Sequence, residues 1–288
     1  MTIAAGGPAG PVGVSGATTV VPRRGLPPGH YDLVGLMRSE WTKLRTVRST
    51  MWTLGITVVV GIGISALATA LTRSHWATMP LPTRAGFDPT QVSLTALLFC
   101  QLATGILGVL VMSAEYGTGT VRATFSAAPR RPAVLLAKIA VFGAVALVVS
   151  EVTAFVSFFV GQAMLTAPAP HATLGTPGAL RAVVGTGLYL CVISLFALGL
   201  ATILRHTAGA ISAFVGVLLV LPIIIQALPN SIGRGAMRFM PLQIGGVMMN
   251  PHVAGPNDFS AWTGFFVLCV YAVAALVIGA VLLERRDV

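Results

Sequence analysis

Charge is scarce in this sequence, and acidic charge scarcest. Asp and Glu number eight in 288 residues, and charged side chains of both signs make up 9%. A soluble domain carries about 25%, so a water-facing surface of ordinary extent is excluded. No Gly-Lys dipeptide occurs, which excludes a Walker-type phosphate loop. HExxH and CxxC are missing, as is any cluster of His, Cys and acidic residues at metal-ligand spacing. The carboxylates are scattered along the chain rather than paired for acid–base work. The expectation is a chain with no catalytic and no metal-binding residues. Cys100, Cys191 and Cys269 stand one each in three apolar runs, an odd number that offers no disulfide framework. They read as small apolar packing residues. Alternating strand patterns are lacking, which argues against a closed barrel.

What is present is apolar. Hydrophobic residues make up 55% of the chain and its mean hydropathy is +0.87. Runs of about 20 such residues, the length that crosses roughly 30 Å of hydrocarbon, recur. The fold class expected is all-α: a polytopic membrane protein with six transmembrane helices. Spans are placed at about 51–71, 92–113, 133–166, 182–204, 208–228 and 261–283. The net charge of +10 would suggest nucleic acid in a soluble protein, but no basic stripe is interleaved with stacking aromatics. Basic residues at helix ends orient a membrane protein instead.

Residues 1–30, rich in Gly, Pro and Ala, read as a disordered cytoplasmic tail ahead of a six-span transmembrane domain at 31–288. In Tyr31–Ser49, Leu33, Met37, Trp41 and Leu44 recur at helical spacing, with Arg38, Lys43, Arg45 and Arg48 over much of the remainder. That pattern predicts an amphipathic helix in the membrane interface, with Trp41 at headgroup depth; a plain juxtamembrane cap would look similar. Pro222, inside the fifth span, is expected to kink it. The fourth and fifth spans form a hairpin around Arg205-His206-Thr207.

Six spans put both termini on one side. Of the 18 Lys and Arg, only Arg73, Arg84, Arg181, Arg234 and Arg238 fall on the other, so both termini are expected in the cytoplasm of a multi-pass cell-membrane protein. Residues 229–260 are too apolar for a solvated loop and too broken by Gly and Pro for a span. A re-entrant external segment fits, and so does a small cap on the helix ends. Glu151, deep in the third span, is a candidate for a translocation path or proton site, or for a contact that holds a neighbouring helix.

Two stretches carry a resemblance: SEWTKLRTVRSTMWTL, Ser39 to Leu54, and SAEYGTGTVRATFSAAPRR, Ser113 to Arg131. Their order and spacing among six spans, with the apolar external segment before the last, resemble the permease subunits of ABC-2 type ABC transporters. The resemblance extends over nearly all of the chain after about residue 30. It implies that the loop between the second and third spans docks on a separate ATP-binding cassette ATPase, which would hold the ATP and Mg that this chain does not. By that likeness Glu115 and Tyr116 end the second helix, and Gly117 belongs to the same motor-coupling stretch. Thr118 to Ser126 form a coupling helix capped by Thr118 or Thr120, and Val121 and Phe125 press into the motor. Arg122, Arg130 and Arg131 meet acidic groups or lipid phosphates. Six spans also imply a second permease subunit, identical or not, and two ATPases. The leading expectation is an ATP-driven exporter of a hydrophobic or amphipathic substrate. The alternatives are a secondary transporter or channel built on Glu151, and a membrane anchor of an immunity or regulatory complex.

Overall fold

The computed structural model describes residues 32–117, 119, 131–252, 255 and 258–285, without the side chains of residues 131, 230 and 231. Among the described residues there is no strand. The chain is an all-α polytopic membrane protein, with six helices long and apolar enough to cross a bilayer: Arg48–Thr78, Pro89–Gly117, Pro132–Met164, Ala179–Leu204, Thr207–Gln226 and Ala261–Arg285. The expected tail at 1–30 lies outside the described residues.

Ahead of the first span lies helix α1, Leu33–Thr46, whose first turn is capped by Asp32 accepting from the Val34 N–H at 3.3 Å. One extended residue, Val47, separates α1 from the first span. The stretch Arg73–Thr90, an exposed loop by its composition, is largely helical. The helix of the first span runs on to His75, Trp76–Thr78 adds a 3₁₀ turn and Leu81–Ala85 a short helix. The second span then starts at Pro89, earlier than its apolar run suggests. Asp88 caps it by accepting from the Gln91 N–H at 2.9 Å, and Pro89 occupies the first turn, where a missing N–H goes unnoticed.

The fourth span is the axis of the bundle. In its most apolar stretch 61% is buried, against 28% for the first, fifth and sixth spans. It packs on the second, third and sixth spans, and the third holds α1 and the first span on its other flank. Small residues set the spacing. A Cβ on Gly108 of the second span would fall 2.2 Å from the Ser194 carbonyl oxygen of the fourth, so backbone lies almost on backbone there. Hydroxyls of Thr57, Thr69, Thr104, Thr153, Thr186 and Thr202 donate to their own helices' carbonyls four residues back, which settles polar groups that water cannot reach.

Pro222 acts through helix register. The stretch Gly216–Val220 widens to a π turn, the Leu221 N–H bonds back to the Gly216 carbonyl, and an α-helix resumes at Leu221–Gln226. The wide turn immediately upstream of the proline absorbs the carbonyl that proline cannot serve. Two short helices follow, Asn230–Met237 and Pro241–Met249. The second buries Ile244, Met248 and Met249 against the fourth and sixth spans.

Candidate coupling site

Helix α1 places Glu40, Lys43 and Leu44 on one face, at the spacing of three and four that brings side chains together. That face packs on the third span, where Lys138 sits two turns inside the helix, 3% exposed. The second span ends beside both and offers Glu115.

The four charges close into a ring of alternating sign. Lys43 Nζ lies 2.6 Å from Glu40 Oε1 and 3.0 Å from Glu115 Oε1. Lys138 Nζ lies 2.6 Å from Glu40 Oε2 and 2.8 Å from Glu115 Oε1. Each ammonium thus touches both carboxylates. The ring is neutral in sum, which suits a site where three of its members have little or no water. Side-chain exposure is 4% for Lys138, 5% for Glu40 and 14% for Glu115, against 37% for Lys43. Burial works against the charge on Lys43, but hydrogen bonds and the negative charge of Glu40 and Glu115 outweigh it and raise its pKa above the ordinary lysine value. Removing any one member would leave a buried charge without its counterpart, the costly case for an ion pair.

Tyr116 follows Glu115 on the same helix and turns another way. Its ring lies under the guanidinium of Arg205, 5.8 Å from charge centre to centroid. Arg205 ends the fourth span in a left-handed conformation, φ 56°, and its guanidinium donates to the Leu282 carbonyl near the end of the sixth span at 3.0 Å. Two neighbouring residues at the end of the second span therefore hold different partners. Glu115 holds α1 and the third span, and Tyr116 holds the fourth-to-fifth turn. A half-open groove of about 390 Å³ runs beside the ring between α1, the head of the first span and the tail of the second.

Of the residues read from the sequence as a motor contact, Glu115 and Tyr116 lie in the last turn of the second helix, which ends at Gly117. Thr118, Thr120, Val121, Arg122, Phe125 and Arg130 lie outside the described residues, and Arg131 is described only as the start of the third helix. In α1, Arg38, Trp41 and Arg45 are exposed. Lys43 departs from the expectation of a lipid- or water-facing residue, because two carboxylates hold it toward the bundle. Glu151 stands apart from the ring. Its carboxyl group covers Gly187 of the fourth span, where a Cβ would meet the Glu151 Cδ at 2.4 Å, and its Oε2 has no hydrogen bond among the described residues. Among those residues no group of His, Cys, Asp and Glu is arranged to hold a metal ion.

The sequence reading missed Glu40, Lys138 and Arg205. A signal existed for Lys138, a lysine two turns inside an apolar helix whose preceding helix ends in a glutamate. For Glu40 the sequence shows only one acid on a basic helix, and nothing local marks it as buried.

No curated protein matches the sequence. The ring, its three helices and the first five spans lie almost wholly within residues 36–223, and these match the family described as ABC-2 family transporter protein. This chain belongs to the ABC-2 family of transporter proteins.

Proposed function

We propose that this membrane subunit of an ABC transporter is the permease half of an ATP-driven exporter, and that its motor docks at residues 115–131 in the cytoplasm. The observation that carries the reading is the double anchorage of that segment's first root. Glu115 is tied to α1 and to Lys138 of the third span, into which the same segment leads, and Tyr116 is tied to Arg205. Force applied at the loop would reach every span except the first and fifth through a side-chain contact, and would reach those through α1 and the Arg205 turn. A loop that only fixed topology would need no such attachment.

In this reading Val121 and Phe125 face the ATPase, and Arg122, Arg130 and Arg131 pair with its acidic groups or with lipid phosphate. The ATPase pair holds ATP and Mg. Two permease subunits enclose the path of a hydrophobic or amphipathic cargo, both termini are cytoplasmic, and α1 lies in the membrane interface. The test is co-purification with a cassette ATPase and transport in proteoliposomes. Phe125→Asp should insert normally and leave ATP hydrolysis running while transport stops; undiminished transport would sink the reading.

One observation favours a second reading. The Glu151 carboxyl, in the third span, has an oxygen without a hydrogen bond among the described residues, as a proton-carrying site would. Gradient-driven transport in liposomes without ATP, lost in Glu151→Gln, would establish that reading over the first.

A further inference from the structure

The fifth span is held along its first half and bare along its second. Ala210, Phe214 and Leu218 recur at four-residue spacing, and all three are buried. The Phe214 ring fills the space over Gly105 of the second span, where a Cβ would fall 2.1 Å from the ring's Cζ. Beyond the π turn the pattern reverses. Ile223 is 67% and Ile224 56% exposed, and within Leu221–Gln226 only Pro222 and Ile225 are buried. The main neighbours of this piece are the π turn below it and the helix Asn230–Met237 after it, rather than another span. That following helix is fastened to it. The Ile232 and Gly233 N–H groups both donate to the Pro229 carbonyl at 2.9 Å, and a Cβ on Gly233 would fall 3.0 Å from the Ile225 carbonyl oxygen. A cleft of about 290 Å³ opens beside the outer piece, with Ile225, Gln226 and Met237 on one side and Gln243 and Asp258 on the other. Its far wall is fixed. Gln243 donates to Asp258 at 3.0 Å from the helix that buries Ile244 and Met248 in the bundle.

We propose that residues 221–237 form a flap, hinged at Gly216–Pro222, that swings into this cleft and so controls access to the end of the bundle opposite the Glu115 ring. The joint has the chemistry of a hinge. Pro222 has no N–H to tie it to the turn below, and the π turn already departs from the regular ladder; sharp helix bends trace to these two causes. Nothing lies within 4 Å of where a Cβ on Gly216 would go, so the backbone there can turn without collision. The two sides of the joint differ in the way a hinge requires. Below it an aromatic ring is seated on a glycine, and above it few apolar contacts are buried, the mark of a segment that moves at low cost. The swing carries little hydrophobic penalty, because lipid tails are as apolar as the side chains that move through them. The cleft supplies the room. This device belongs to the chain itself and is independent of where a motor docks.

Distances between paired spin labels in the full-length protein, held in lipid nanodiscs, test this. The labels sit at Ile232→Cys on the flap and Leu180→Cys at the start of the fourth span, both exposed positions. Cys269→Ala removes the one native cysteine that is not buried. Six residues at 1.5 Å each make an arm of about 9 Å, and a change of about 25° at the joint moves its tip by about 4 Å. The distances from flap to fourth span should spread over about that much. A control pair at Ser212→Cys and Leu136→Cys, on the held half of the fifth span and on the third, should give one narrow distance. Gly216→Ala with Pro222→Ala, which restores a regular ladder, should narrow the flap distances to the control's width. Gln226→Trp, which fills the cleft without touching the joint, should narrow them as well. A spread no wider than the control in the natural sequence would overturn the proposal. So would a spread that survives straightening of the joint, or one that survives filling of the cleft.

Discussion

Lys138 Nζ lies 2.6 Å from Glu40 Oε2, between residues 98 positions apart in the chain and each about 95% buried at the side chain. A full charge pair at such depth is retained only where its partners are complete, and here Lys43 and Glu115 complete it. The pair fixes where α1 lies against the third span more narrowly than apolar packing would, since Leu or Val at these positions would tolerate small slips.

Lys138→Met should lower stability by about 3–5 kcal/mol, because Glu40 and Glu115 are left to share one ammonium. Adding Glu40→Gln should recover much of that loss, since a neutral Lys43–Glu115 pair remains. Thermal unfolding in detergent reads both. Additive losses in the double variant would show that the two residues act separately.

The pH dependence of the ring follows from Lys43. Its pKa is raised in the folded state, so its contribution is fully present below the unfolded lysine value of about 10.4 and is lost as pH climbs through the higher folded value. The difference in unfolding midpoint between the natural protein and Lys43→Gln should therefore be constant from about pH 6 to 9 and shrink only above about pH 10.4. A difference that fell away on the acid side would mean that the carboxylates, not the lysine, set the response.

Tyr116 offers a finer test. Its hydroxyl makes no hydrogen bond among the described residues, while its ring supports Arg205. Tyr116→Phe should match the natural protein in stability, and Tyr116→Leu should lose about 0.5–1 kcal/mol. Arg205→Gln removes both the ring contact and the bond to the Leu282 carbonyl, and should lose more than Tyr116→Leu. Equal behaviour of Phe and Leu at position 116 would remove the cation–ring contact from the account.

Two glycines separate packing from propensity. Gly63 has nothing near where a Cβ would go, whereas Gly108 has the Ser194 backbone oxygen at 2.2 Å. Gly63→Ala should be neutral or stabilising by up to about 1 kcal/mol. Gly108→Ala should destabilise by about 1–3 kcal/mol, because the fourth span must move away. Similar outcomes in both would mean that the second and fourth spans do not meet at this register.

The six spans were legible because hydrocarbon thickness imposes one length on every crossing helix, and composition records that length directly. Element ends were less so. The second span begins at Pro89 because of a capping aspartate and a proline, which the apolar run from Val92 does not report. The π turn before Pro222 was visible only as a disturbance expected somewhere near the proline. The candidate site was half legible. Glu115 and Tyr116 stood out by their neighbours, yet their partners come from positions 40, 43, 138 and 205, and sequence periodicity carries no information across such distances. Lys43 was read correctly as part of a basic helix, but its direction was not, because one buried acid on a neighbouring turn reversed it.

Consecutive residues on an α-helix project about 100° apart, and the last turn of the second span spends two of them on opposite obligations, Glu115 toward Lys138 and Tyr116 toward Arg205. Such a helix end is barred from spinning about its own axis, since either sense of rotation would tear one attachment while pressing the other. Translation along the axis and tilting carry both neighbours with it and tear neither. In the proposed coupling the second span would therefore act as a push rod rather than a drive shaft, and conformational states of this protein should differ in the height and inclination of that helix while the azimuth of its final turn stays the same.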